Sequence, residues 1–425
     1  MYILGIETSC DETAAAVVKD GREILSNVVV SQIDIFKEYG GVIPEIAARS
    51  HLEAMLPVVN KALLDAFPNE DLSDDRARLT AAWDKIDSIA VTHTPGLLGS
   101  LLIGTLTART LAILHKKPLY AVHHLKSHIY ANWLKSENLP EFPLLALVVS
   151  GGHTQIIRMK KHNQFEIIGT TRDDAVGECF DKVAKILGLP YPGGPSISKA
   201  AKNGDPNKYK FPHPRLTSPN RTDHRYSDLD FSFSGLKTAV LREVQQAVGK
   251  PISFPSHELK NLLTEQQVND FAASFENTAT DILIENLKKA LEKYPDTKSI
   301  CLAGGVSANE MLREKASDLG FLSASVSRTM GLPPLAKSTT STCSSDAQNY
   351  GRSENRLDVV DFVNSRRGVA RSGNTCDEKP IFFPSLNLSG DNAAMVAAAA
   401  YYEIESGVAP TDPYTLNIYP RKTIS

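Results

Sequence analysis

The chain has 425 residues, of which 42% are apolar and 22% charged, the composition of a soluble globular protein. That length is too great for one ordinary core, so two lobes are expected. A formal net charge of −3 excludes a global attraction for nucleic acid, and any RNA contact has to come from a local basic surface.

From the N-terminus, Tyr2–Glu7 reads as a strand, Thr8–Glu12 as a polar loop and Thr13–Lys19 as a second strand. An Asp20-Gly21 turn and a third strand through Val30 follow. The mostly apolar Ile86–Val91 is another strand, and Thr94-Pro95-Gly96-Leu97-Leu98-Gly99-Ser100 precedes a helical run through Leu114. Pro140 and Pro143 mark a lobe boundary. The wholly apolar Leu144–Val149 is a strand buried on both faces. Ser150-Gly151-Gly152-His153 is then a small polar loop, Thr154–Met159 a strand, Lys160–Asn163 a turn, and a last strand runs through Gly169. The strand–loop–strand–turn–strand meander thus occurs twice, each time ahead of Ala/Leu-rich helical sequence. That duplication is the pattern of the actin/hexokinase/Hsp70-like ATPase fold: two similar α/β lobes face a cleft, and each first hairpin offers its tight loop to phosphate.

Two further glycine loops follow. Tyr191-Pro192-Gly193-Gly194-Pro195 separates two helical stretches, and Ala303–Asn309 follows the strand Ser299–Leu302 and opens another helix. Glycine at a helix start lets backbone N–H groups approach an anion. The segment 322–377, rich in Ser and Thr over Lys337–Ser345, reads as a mostly disordered insertion with a short helix near Leu357–Val363. Residues 1–138 are expected to form the first lobe, with the helix of 391–425 packing back on it, and residues 139–390 the second.

Several side chains can carry chemistry. His124 and His128 lie four apart, which on a helix puts both imidazoles on one face, able to share a metal. Leu125 occupies the place where a metalloprotease needs a glutamate, so protease chemistry is unsupported. Asp391 stands where Ser389-Gly390 meets the alanine-rich helix Asn392–Tyr402. It suits an N-cap, or it could complete a two-His, one-carboxylate site of the kind iron or zinc takes. Asp11 and Glu12 in the first hairpin loop are solvated turn residues or a general base. Asp173, Asp174, Glu178 and Asp181 complement a helix dipole or hold ribose hydroxyls. In 199–242, Lys199, Lys202, Lys208, Lys210, Arg215, Arg221, Arg225, Lys237 and Arg242 face four Asp, forming a solvated loop face or a basic surface for RNA.

Cys10, Cys179, Cys301, Cys343 and Cys376 form no CxxC pair, which fits a reduced compartment without thiolate zinc or a disulfide framework. No apolar run of membrane-spanning length is read from the sequence, and the strand beginning at Tyr2 leaves no room for a signal or transit peptide.

Together, Gly5–Thr13, Val149–Thr154, Asp173–Lys182, Tyr191–Pro195, Phe231–Thr238 and Gly304–Asn309 resemble, in order, the motifs of the bacterial TsaD family of glycoprotease-like proteins. The resemblance covers nearly the whole chain apart from the insertion. It implies transfer of a threonylcarbamoyl group from threonylcarbamoyl-AMP to the N6 amine of adenosine 37, beside the tRNA anticodon. It further implies that His124, His128 and Asp391 bind one divalent metal, iron ahead of zinc. Val148, Val149, Ser150, Gly151, Gly152, Asp181, Gly194 and Asn309 would hold the adenylate, with Asp11 and Glu12 supporting the reaction centre. The implied partners are tRNA, a TsaB-like inactive paralogue and a TsaE-like ATPase, in a bacterial cytosol rather than a mitochondrion, with no membrane. The chain departs from the family in reading Ser389-Gly390-Asp391-Asn392-Ala393 for Cys-Thr-Asp-Asn-Gly, and Lys126-Ser127 for Glu-Gly. An actin-like kinase or ATPase with Asp11 as base, and an inactive scaffold, are the competing readings.

Overall fold

The computed structural model describes residues 1–68, 74–213, 227–318, 379–421 and 423–424. The insertion expected at 322–377, with its short helix and the tract 337–345, lies outside the described residues, as do Arg215, Arg221, Arg225, Cys343 and Cys376.

In the first half, β1 (Tyr2–Glu7), β2 (Glu12–Lys19) and β3 (Glu23–Ser31) precede α1 (Ile33–Lys37), α2 (Pro44–Ala66), α3 (Asp75–Lys85) and β4 (Ser88–Thr94). Helix α4 (Leu98–His115), β5 (Leu119–His123) and α5 (His124–Tyr130) complete it. In the second half, β6 (Leu144–Val149), β7 (Thr154–Lys161) and β8 (Gln164–Thr170) precede α6 (Val176–Leu187), α7 (Gly193–Ala201), α8 (Ser234–Ala247), α9 (Ser256–Leu259) and α10 (Glu265–Lys293). Then come β9 (Ser299–Ala303), α11 (Glu310–Ser317), β10 (Ile381–Phe382), α12 (Leu386–Ser389) and α13 (Ala393–Glu405).

The two sheets share one plan. Their strand orders are β3-β2-β1-β4-β5 and β10-β9-β6-β7-β8, each an antiparallel meander extended by parallel strands. This is the doubled mixed sheet of the actin/hexokinase/Hsp70-like fold.

Alternation along buried strands sends side chains to two cores. In β6, Leu145, Leu147 and Val149 join α6, α7, α8 and α10 in one cluster. Leu144, Ala146 and Val148 point instead to a central cluster shared with Ile3, Ala14, Ala16 and Val18 of the first sheet. Helix α13 supplies Ala393–Ala400 to that central cluster, all without solvent exposure. Its alanines allow so close an approach to β1 that a Cβ on Gly5 would lie 2.2 Å from the Ala393 carbonyl oxygen. The opposite face of the first sheet packs on α2, α3 and α4.

One expectation is corrected here. Helix α4 is long and apolar enough to cross a membrane by length and composition, although no such run was read from the sequence. Arg109 is its one charge, and Thr and Gly residues spaced among leucines disguise how apolar the run is on average. Helix α4 packs against α2 and β4 while leaving Leu98, Leu102, Leu106, Ile113 and Leu114 exposed.

Candidate functional site

Strand β5 runs directly into α5, and the His123 ring caps the turn by accepting from the Leu125 N–H at 3.2 Å. One helical turn then sets His124 and His128 on the same face, both buried, with ring centroids 4.6 Å apart. Asp391 arrives from the turn before α13. The cap of that helix is Asn392, whose side chain accepts from the Met395 N–H at 3.1 Å, so the N-cap reading of Asp391 is corrected. Released from capping, Asp391 places Oδ1 3.5 Å from His124 Nε2 and 3.1 Å from His128 Nε2. The three candidate ligand atoms lie within 4.8 Å of one another. Despite that proximity, neither ring nitrogen of the fully buried His128 is aligned for a hydrogen bond. A buried imidazole without a hydrogen-bond partner is costly, and a coordinate bond would relieve it. Two imidazoles and a carboxylate therefore fit a divalent metal.

Behind His124 stands Glu7, fully buried at the end of β1. Its Oε2 is 3.2 Å from His124 Nδ1 and accepts from Thr92 Oγ1 at 2.5 Å, while Oε1 accepts from the Ser9 N–H at 2.5 Å. Such a carboxylate fixes the tautomer and turns Nε2 toward Asp391. Burial opposes charge on His124, but Asp391 and Glu7 outweigh it and raise its pKa to about 9. Burial likewise opposes charge on Asp391, yet His124 and His128 hold it down at about 2. The charges are thus arranged for a cation among them, a proton in its simplest form.

The first hairpin loop carries Asp11, with Glu12 opening β2. Its backbone is gripped from α4 and α2. The Leu97 N–H donates to the Ser9 oxygen at 2.8 Å, and Ser100 Oγ donates to the Cys10 oxygen at 3.2 Å. His51 Nε2 donates to the same Cys10 oxygen at 2.9 Å, and its Nδ1 lies 2.8 Å from Thr13 Oγ1. Burial, followed by the charges of Asp391 and Asp11, pushes the Glu12 carboxyl well above the usual range. A carboxyl so shifted holds a proton more tightly than an exposed glutamate and, once ionised, is the stronger base.

Across from it, Ser150 N–H donates to the His153 oxygen at 2.8 Å, closing the second hairpin loop. Gly151 and Gly152 are exposed, and a Cβ on either would touch nothing within 4 Å. Burial, reinforced by His124 and His128, lowers His153 to about 4, so the second loop adjoins the histidine pair. Asp181 accepts from the Gly193 N–H at 2.7 Å, tying α6 to the start of α7, and burial raises its pKa. Gly194 has open space beside it. Asn309 caps α11 by accepting from the Leu312 N–H at 2.8 Å, and its amide donates to Glu276 Oε1 at 2.6 Å. The side chains of Val148 and Val149 are buried in the two cores, leaving only their backbone to face a ligand.

The structure therefore gathers His124, His128, Asp391, Asp11, Glu12 and the loop Ser150–Gly152, and places Asp181, Gly194 and Asn309 on the second half. Asp173 is occupied by the N–H groups of Phe233 and Ser234. Lys182 pairs with both Asp174 and Glu178, and Lys202 with Glu310. Sequence reasoning missed Glu7, His51 and Glu276. A carboxylate ending the apolar strand Tyr2–Glu7 was a usable signal for the first, whereas the other two sit in helices without a local pattern.

A duplicated sheet, paired hairpin loops and a two-histidine, one-carboxylate cluster beside them define a metal-competent member of the actin/hexokinase/Hsp70-like class. The chain belongs to the family described as TsaD, tRNA N6-adenosine threonylcarbamoyltransferase, which it matches over residues 23–327. The transferase of that name from Symbiobacterium thermophilum is 49% identical over 313 residues, covering 74% of this chain and 81% of that protein. The one from Listeria welshimeri is 40% identical over 418 residues, covering 98% of this chain and 95% of that protein. Among solved structures, full-length HypF in its phosphate- and nucleotide-bound form is similar with a TM-score of 0.48 and 11% identity, over 95% of this chain and 46% of that one.

Proposed function

We propose that this enzyme transfers the threonylcarbamoyl group from threonylcarbamoyl-AMP to the N6 amine of adenosine 37 in tRNAs reading codons that begin with A. The observation that carries the proposal is the meeting of the His124–His128–Asp391 cluster with the Asp11–Glu12 loop and the bare Ser150–Gly152 loop. Neither a kinase nor an inactive scaffold has use for an intact cluster of this kind, and nothing favours either alternative.

An exocyclic aromatic amine is a poor nucleophile, so the mixed anhydride has to be held in line and its developing charge balanced. Backbone N–H groups of Gly151 and Gly152 bind the phosphate, and Asp181, Gly194, Asn309 and the backbone of Val148 and Val149 hold the nucleoside. His124, His128 and Asp391 hold one divalent metal, iron in preference to zinc, which supplies positive charge at the reacting end. The N6 nitrogen forms a bond to the carbamoyl carbon, the bond from that carbon to phosphate oxygen breaks, and AMP leaves. Glu12, assisted by Asp11, takes the amine proton.

Residues 1–138 with 391–425 are assigned to one lobe and 139–390 to the other, supported by the packing of α13 on β1 and β2. A TsaB-like paralogue would cover the exposed leucines of α4 together with Leu52 and Leu56 of α2, with a TsaE-like ATPase as a further partner. A tRNA substrate argues for the cytoplasm, and Lys199–Arg242 remains the proposed RNA-facing stretch.

The test is expression in bacteria depleted of their own transferase, with tRNA nucleosides read by mass spectrometry. Threonylcarbamoyladenosine should return. Soluble protein and its partners without the modified nucleoside would refute the proposal.

A further inference from the structure

After α13 the chain crosses the first half of the molecule toward the reaction centre and is pinned along the way. Thr411 pairs with Leu119 of β5, and Arg109 donates to the carbonyl oxygens of Pro413 and Tyr414. Beside β4, the Tyr419 N–H donates to the His93 oxygen at 3.1 Å and Thr94 Oγ1 donates to the Tyr419 oxygen at 2.6 Å. The Gly96 N–H then donates to the Pro420 oxygen at 3.2 Å. Farther on, Ile424 is 7% exposed, in the same core cluster as Leu125. Arg421 lies between these anchors and is thereby fixed at the edge of a cavity of about 430 Å³, lined also by Gly96, Leu125, His153 and Gln155.

The cavity's polar groups are unspent. Arg421 is exposed and has no ion-pair or hydrogen-bond partner among the described residues. Gln155 is 8% exposed; its Nε2 reaches Thr170 Oγ1 at 3.5 Å, while its buried Oε1 accepts from no group. A buried amide oxygen without a donor costs stability, so a ligand that brings one is favoured there. The cavity therefore offers one cation and the apolar wall of Leu125, with an acceptor lacking a donor buried in its wall at Gln155. Its position is telling: Leu125 lies between the two metal-competent histidines in sequence, and Gly152 and His153 belong to the second hairpin loop.

We propose that this cavity receives the amino-acid end of the acyl donor, with Arg421 pairing with its α-carboxylate and Gln155 Oε1 accepting from its side-chain hydroxyl. This rests on the transferase reading above. A nucleobase has donors but no charge for Arg421. An RNA phosphodiester matches Arg421 and its ribose 2′-hydroxyl can donate, but it brings no methyl group for Leu125, and the separate KM values below tell it from the donor. A hydroxy-amino acid supplies both, and its methyl group suits Leu125.

The full chain with its partners and tRNA tests this through separate KM values for donor and tRNA. Calorimetric binding of a non-transferable donor analogue gives a readout independent of catalysis. Arg421→Ala should weaken donor binding and raise donor KM by about tenfold or more, as expected for a lost charge-assisted contact, with tRNA KM unchanged. Arg421→Lys should recover part of the loss. A donor methylated on its carboxylate should be as poor for wild type as the free acid is for Arg421→Ala, and no poorer for the variant. Gln155→Met should erase the preference for a threonyl over a 2-aminobutyryl donor. Unchanged donor binding in Arg421→Ala, or a rise confined to tRNA KM, would overturn the assignment. A wild type that binds the analogue through Arg421 yet never transfers would refute the transferase reading and leave the pocket standing.

Discussion

Between β1 and β2 the loop Thr8–Asp11 is tied down from two helices, whereas between β6 and β7 the loop Ser150–His153 closes mainly on itself. The first has its backbone oxygens at Ser9 and Cys10 engaged by Leu97, Ser100 and His51, and Glu7 is locked to His124 at its base. The second has exposed glycines whose side-chain direction is open, although Gly177 of α6 lies close against the backbone of Ser150 and Gly151. One sheet plan thus serves two tasks. A rigid loop can hold acidic groups close to other acidic groups, at a cost that its many hydrogen bonds offset. A bare loop keeps N–H groups available for an anion, which needs access more than fixity.

The largest break in this contrast comes from the cluster beside the rigid loop. Replacing His124 or His128 by Ala, or Asp391 by Asn, should remove bound metal and lower transfer together by about hundredfold or more, measured by elemental mass spectrometry and by nucleoside formation. Retained activity in a metal-free His124→Ala/His128→Ala protein would end the metal role. Glu7→Gln keeps the shape but removes the charge behind His124. Metal affinity should drop about 10- to 100-fold, the usual scale for losing such a supporting partner.

Two alanine substitutions sharpen the comparison at a smaller scale. A Cβ on Gly96 would lie 2.6 Å from the Ser9 oxygen, so Gly96→Ala has to push the clamped loop aside. It should destabilise by about 1–3 kcal/mol in denaturant melts, the range for overpacking, and slow transfer as well. A Cβ on Gly151 meets nothing, so Gly151→Ala should leave the melt within about 0.5 kcal/mol while raising donor KM. Equal stability losses in both variants would dissolve the distinction between the loops.

What could be read in advance follows from how local each signal is. Strands such as Leu144–Val149 and Tyr2–Glu7 announce themselves because burial on both faces demands unbroken apolar residues. The histidine pair is legible because four residues make one helical turn. Asp391 was ambiguous, since Asp and Asn both cap helices, and only the observed bond from Asn392 to the Met395 N–H decides between them. His51 bonds partners 41 and 38 residues away and Glu276 partners 33 and 78 residues away, and no period or spacing encodes such pairings. The apolar face of α4 escaped notice because its character lies in an average over eighteen residues rather than in any short run.

The smallest effect expected concerns protons, and it sets the two loops against each other. His124, backed by the rigid loop, is raised from the ordinary 6.5 to about 9, while His153 in the bare loop is lowered to about 4. In protein stripped of metal, folded His124 keeps a proton between pH 6.5 and 9 that the unfolded chain has released. Its contribution is complete below 6.5 and is lost as the pH rises through 9. Folded His153 stays neutral between pH 6.5 and 4 while the unfolded chain takes up a proton, so stability falls as the pH drops across that window. These two contributions oppose each other. His162, lowered likewise to about 4, adds to the acid limb, and Glu403, raised to about 7, works against it, while above pH 6.5 Tm should decline by a few degrees. Calorimetry in chelator should show both limbs. Glu7→Gln should flatten the alkaline limb alone and His153→Gln should make the acid limb shallower, with His162 keeping its share. Restoring a divalent metal should remove the alkaline limb, because the ion then occupies the proton's place. An alkaline limb indifferent to Glu7→Gln would mean that the buried carboxylate does not govern His124.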